Sequence, residues 1–153
     1  MNLRDYLDQM GVRYSWSHHD PAYTAQDLAM KEHVSGKRVI KPVVVEADGR
    51  PVLCALPASY YVDLERIRQE LHVQVAQLAT EPKLSSIFAD CDLGAEPPIG
   101  TLFGLPTLVD ESIMLQDQVT FQAGTHEDAV TMSAQDFLRI TRPQVGQFGK
   151  ARA

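Results

Sequence analysis

The chain has 153 residues, 44% of them apolar and 22% charged, which is enough for one domain with its own core. A formal net charge of −6 and a pI near 5.3 exclude broad neutralisation of a phosphate backbone, so any RNA contact is small and local and no DNA partner is expected. No apolar run reaches the length of a bilayer span, and the start, Met1-Asn-Leu-Arg-Asp-Tyr-Leu-Asp8, carries acidic residues and lacks an apolar signal core, so a cytoplasmic protein off the membrane is expected.

Taken in chain order, residues 2–10 predict a short amphipathic helix, with Leu3, Tyr6, Leu7 and Met10 on one face and Gly11 as its stop. Tyr14-Ser-Trp-Ser17 alternates like a strand, and a turn-rich His18-His-Asp-Pro-Ala-Tyr23 follows. Thr24 caps a second helix that runs to about His33, with Asp27 three residues on. Residues 38–46 and 52–56 read as two strands joined by the Ala47-Asp-Gly-Arg50 turn, the firmest local signal in the chain. Asp63 caps a helix over 64–71, Val73 to Leu78 alternates as a strand, and Thr80 opens another helix with Pro82 in its first turn. Residues 90–104 form a long glycine- and proline-rich loop. Strands are expected near 106–110, 118–123 and 128–132, then a helix over 134–140 capped by Ser133. The tail from Thr141 is polar and reads as frayed. The order is not a regular βαβ alternation. It predicts a single α+β domain over 1–153, with a curved, barrel-like mixed sheet, surrounding helices and a core over about 15–140.

Three places could carry chemistry. In "RVIKPVVV", Lys41, Val43 and Val45 share one strand face, and Ile40, Pro42 and Val44 share the other. Both faces are apolar, so the lysine must reach water, find partners or line a cavity. An edge-strand lysine is the plain alternative, and Pro42, which cannot donate to a ladder, supports an edge or bulge. The second place is Gly94-Ala-Glu-Pro-Pro98-Ile99-Gly100, where glycines admit close approach of a ligand and proline stiffens the loop. The third is Gly124-Thr125-His126 after a predicted strand, where the histidine could bond substrate, although a histidine so placed is more often a surface turn residue. Cys54 and Cys91 do not form a disulfide framework, and neither a metal nor a cofactor is called for. No Ser-His-Asp elbow or Cys-His pair of recognised spacing is present. His18 and His19 are adjacent and face apart, and His33 and His72 sit at helix ends.

Taken in order, "HHDPAYTAQDLA", the strand lysine before an Asp-Gly hairpin, "LPASYYVDLERIRQEL", the glycine-proline loop, "LPTLVDES" and "FQAGTHEDAVTMSAQDFL" resemble the YbaK / prolyl-tRNA synthetase-associated domain family over about residues 15–140. That resemblance implies an editing enzyme that hydrolyses mischarged aminoacyl-tRNA in trans. Lys41 matches the family's strand lysine, needed for deacylation at the aminoacyl-adenosine end. Gly94, Pro98 and Gly100 match its pocket loop, with Ile99, Leu102 and Phe103 as candidate wall residues. Gly124, Thr125 and His126 match the Gly-Ser/Thr-His segment of the branch resembling alanyl editing enzymes. Members of that branch often carry Asn after the lysine, where this chain has Pro42. The implied partners are the acceptor end of a mischarged tRNA and an aminoacyl-tRNA synthetase, with the protein a monomer. A non-catalytic module that binds the tRNA end or a synthetase remains open, as does a sensor of a small amino-acid derivative.

Overall fold

The computed structural model describes residues 1–151. In chain order the elements are α1 (Leu3–Gln9), β1 (Tyr14–His18), α2 (Ala25–Lys31), β2 (Ile40–Ala47), β3 (Arg50–Pro57), β4 (Tyr60–Val62), α3 (Leu64–Leu71), β5 (Ala76–Leu78), α4 (Glu81–Ile87), β6 (Thr107–Asp110), β7 (Gln118–Gln122), β8 (Asp128–Ser133), α5 (Ala134–Thr141), β9 (Gln144–Gly146) and β10 (Gly149–Ala151). Short 3-10 turns occupy Gly100–Phe103 and Glu111–Leu115. The α+β class is as expected.

The Asp-Gly turn organises the centre. Asp48 and Gly49 take φ of 49° and 82°, the pair of left-handed residues that a tight two-residue hairpin needs. It aligns β2 and β3 from Ile40↔Pro57 to Ala47↔Arg50. Helix starts follow the sequence signals. Thr24, Asp63, Thr80 and Ser133 each accept a backbone N–H of their own first turn, as does Asn2.

Three sheets result. One is β1-β8-β7, a second is the ribbon β10-β4, and a third is β5-β2-β3-β6-β9, in which β3-β6 and β6-β9 run parallel. A parallel bridge, Val39↔Thr120, ties the third sheet to the first. The surface is curved and mixed, and among the described residues none of the three sheets closes on itself. One core packs Ile40 and Val44 against β7, β8, α1 and α5. A second packs Val45, Cys54, Leu56 and Leu108 against Ile67 of α3 and Phe148. β2 and β3 are therefore covered on both faces, which is why "RVIKPVVV" has no polar side.

Two expectations need correction. The tail is not frayed through residue 151: β9 pairs with β6, β10 pairs with β4, and Phe148 is fully buried. The cause is Asp110, itself 2% exposed, whose carboxylate accepts the amides of Phe148 and Gly149. The strand expected from Val73 begins only at Ala76. His72 leaves α3 in the left-handed conformation, Val73 N donates to Arg68 O, and the Asp48 carboxylate takes the amides of Gln74 and Val75. Those donors are thus unavailable to a ladder.

Candidate active site

β2 has two unlike halves. Along a strand, successive peptide groups face opposite neighbours. Arg38 O accepts from Thr120 N at 2.9 Å, and Val44 O accepts from Ala79 N at 3.0 Å, so the even-numbered residues face away from β3. β5 covers that side only from Val45 to Ala47. Pro42 lies between the two covered stretches, in the gap, where its missing N–H costs no ladder bond.

Lys41 lies next to this gap, half-buried and opposite Leu56. Its Nζ donates to Ala58 O at 3.3 Å and to Tyr60 O. Ala58 lies in the turn after β3 and Tyr60 opens β4, so the chain just beyond the hairpin that supplies the lysine holds its ammonium in place. The lysine borders a cavity of about 170 Å³ shared with Ala25, Leu28, Ile40, Pro42, Gly94, Glu96 and Gln122. This is below the 300 Å³ or so at which drug-sized pockets begin, and suits a small group.

The two glycine loops meet beside this cavity. Gly124 N donates to Ala95 O at 2.9 Å, and Asp92 N donates to Gly124 O at 2.8 Å. A side chain on Gly94 would lie 3.6 Å from His126 Cε1 and 3.7 Å from Tyr23 O, and its φ of +89° favours glycine besides. His126 Nδ1 sits 3.2 Å from Ala22 O, and its ring centroid is 4.9 Å from that of Tyr23. Thr125 faces away, with its hydroxyl donating to Asp128 at 2.7 Å. Burial pushes the Asp128 carboxyl up, but hydrogen bonds from Thr125, His18 and Trp16 outweigh that and leave it below the ordinary carboxylate value.

The rest of the glycine-proline loop lies underneath. Ile99 is fully buried in the first core and Pro98 is buried. Gly100 is needed for packing, because a Cβ there would fall 2.2 Å from Thr107 Oγ1 and 2.7 Å from Leu105 O. Leu102 and Phe103 line a different cavity of about 460 Å³, with Trp16, Cys91 and Gly124. Several loop amides are already occupied: Gly94 N by the Glu96 carboxylate, Ala95 N by Asp92 O and Ile99 N by Pro97 O. Sequence reasoning missed Glu96 and Gln122, both almost fully buried. A glutamine in the apolar run Val119-Thr-Phe-Gln-Ala123 was the available signal.

Both thiols are unsuited to nucleophilic attack. Burial pushes Cys54 up to about 12. Burial, with the charges of Glu96, Asp90 and Asp92, pushes Cys91 up to about 11.

Residues 19–140 match the model of the aminoacyl-tRNA editing domain. The chain belongs to that family. A proline–tRNA ligase of Leuconostoc citreum (strain KM20) is 24% identical over 132 residues, covering 84% of this chain and 23% of the ligase, so the editing domain spans about a quarter of that relative's length. A hypothetical protein of solved structure superposes with a TM-score of 0.88 at 15% identity, covering 97% of this chain and 99% of its own. A candidate trans-editing enzyme for prolyl tRNA synthetase superposes with a TM-score of 0.83 at 19% identity, over 97% of this chain and 95% of its own. At those identities the superpositions establish the fold of the editing domain. No helix among its described residues is long and apolar enough to cross a membrane.

Proposed function

We propose that this protein is an aminoacyl-tRNA deacylase that hydrolyses the ester of a mischarged tRNA in trans, removing a small amino acid from tRNA-Pro or a related tRNA. The observation that carries this reading is the juxtaposition of Lys41 with Gly94, beside His126, at one small cavity. An aminoacyl ester is already activated. Its hydrolysis needs a placed water and stabilisation of the developing oxyanion more than a strong nucleophile. Lys41 brings a cation to the cavity wall, and the carbonyls of Ala58 and Tyr60 fix its position. With several loop amides occupied internally, the lysine carries most of the oxyanion stabilisation. A ribose hydroxyl of the substrate orients the water, so the step is partly substrate-assisted. The cavity's volume of about 170 Å³ favours alanyl, seryl, threonyl or cysteinyl groups over larger ones.

In this reading the partner is the acceptor end of a mischarged tRNA, with docking on a synthetase as a further partner, and the protein acts as a cytoplasmic monomer. The test is release of amino acid from a panel of alanyl-, seryl-, threonyl- and cysteinyl-tRNAs. Release from at least one, lowered about 10²–10³-fold by Lys41→Ala, is expected. Binding of the tRNAs with release from none would instead make the domain a non-catalytic tRNA-end module.

A further inference from the structure

Glu96 and Gln122 bring two buried acceptor side chains to the Lys41 cavity, and one of their oxygens has no donor among the described residues. Gln122 is 6% exposed, and its side-chain amide cannot be turned around. Its Nε2 donates to Ala22 O at 2.8 Å, and a carbonyl can only accept, so Oε1 must face the other way. There Oε1 is buried and has no hydrogen-bond partner among the described residues. A buried acceptor left in that state is unfavourable, and a donor brought in by a ligand would relieve it. Beside it stands Glu96, 8% exposed, with Oε1 held by the amide of Gly94 at 3.0 Å. Both residues line the same cavity as Lys41.

A carboxylate and an orphan amide oxygen, walled by Ala25, Leu28 and Ile40, are complementary to a compact cation carrying several N–H groups. An ammonium brings several N–H donors to these acceptors, whereas a neutral hydroxyl brings one. We propose that Glu96 and Gln122 are specificity residues that bind the α-ammonium group of the aminoacyl moiety. This rests on the deacylase reading for the identity of the ligand. It assigns the residues of the cavity different tasks: Lys41 acts on the carbonyl and ribose, and the acceptor pair reads the amine. The domain then accepts every small aminoacyl ester with a free amine and rejects the same acyl group without one.

The experiment measures binding of a non-hydrolysable adenosine carrying an alanyl group in 3′-amide linkage, against its twin carrying a propionyl group that lacks only the amine. Calorimetry on the wild-type protein should show the amine form at least tenfold tighter. Glu96→Gln and Gln122→Met should each cut that ratio at least fivefold while leaving affinity for the propionyl twin unchanged. Equal affinity of the wild type for both twins overturns the assignment. So does a loss that is equal for both twins in a variant whose melting transition is intact. If a variant does not fold, the wild-type ratio decides alone. The deacylase reading fails separately, when the amine form is preferred yet no aminoacyl-tRNA is hydrolysed.

Discussion

The two halves of β2 are built from the same kind of residue and meet different ends. From Val45 to Ala47 the strand is paired on both sides, by β3 and β5, and its side chains feed the second core around Phe148. From Ile40 to Val43 it is paired by β3, and on the other side the ladder breaks at Pro42. The first half holds the fold together. The second half gives up pairing and gains a cavity with a lysine on its wall. Stability and chemistry are thereby placed on one strand with few shared atoms, so they should respond to mutation separately.

The sharpest test works on the paired half. Phe148→Ala should cost about 3–5 kcal/mol by chemical denaturation, the range for emptying a fully buried phenylalanine site. The deacylation rate per folded molecule should be nearly unchanged. Next is the open half. Lys41→Ala should lower single-turnover deacylation about 10²–10³-fold, the usual loss for one oxyanion-stabilising group, with the melting transition still cooperative. If Lys41→Ala abolishes folding or Phe148→Ala abolishes chemistry in the folded fraction, the division between halves is wrong.

A smaller effect is expected in the gap. Pro42→Asn restores an N–H and adds a side-chain amide at the cavity. It should lower stability by about 0.4–1 kcal/mol through the freer unfolded chain and change the ratio of alanyl to seryl release by a few-fold. Parallel melts and rate ratios on both tRNAs check it. The smallest effect lies outside β2, at His18, whose hydrogen bond to Asp128 raises its titration above the ordinary 6.5, with the Asp128 and Glu127 charges adding. For a raised histidine the added stability is complete below the unfolded value and disappears as pH rises through the folded one. NMR titration should therefore give a His18 midpoint above 6.5 that returns towards it in Asp128→Asn.

Much of this was legible in the sequence where the cause was local. Asp48-Gly49 dictates its hairpin through two left-handed residues, and the caps at Thr24, Asp63 and Ser133 act within one turn. Lys41 stood out because a cation between apolar faces needs a reason. What was not legible depends on distant partners. Nothing near Phe148 announces that a carboxylate 38 residues away will take its amide and pull the tail into two strands. Tyr60–Val62 carries no local strand signal, because its mate, Gly149–Ala151, is at the far end of the chain. Within Gly94-x-x-x-Pro98-x-Gly100 the pattern marked a constrained loop correctly. Only the packing of Thr107 and Leu105 against Gly100 shows that its second half faces inward rather than toward a ligand.

Pro42 has one more consequence. A break in a ladder exposes backbone that another polypeptide can extend, and a groove of that kind invites strand addition by a stray peptide or a second copy of the chain. Here the visitor would meet a pyrrolidine ring instead of an N–H. The opening is therefore inhospitable to extended protein and open to ligands that bring their own donors, a filter by chemical class that operates before any side chain in the cavity is reached.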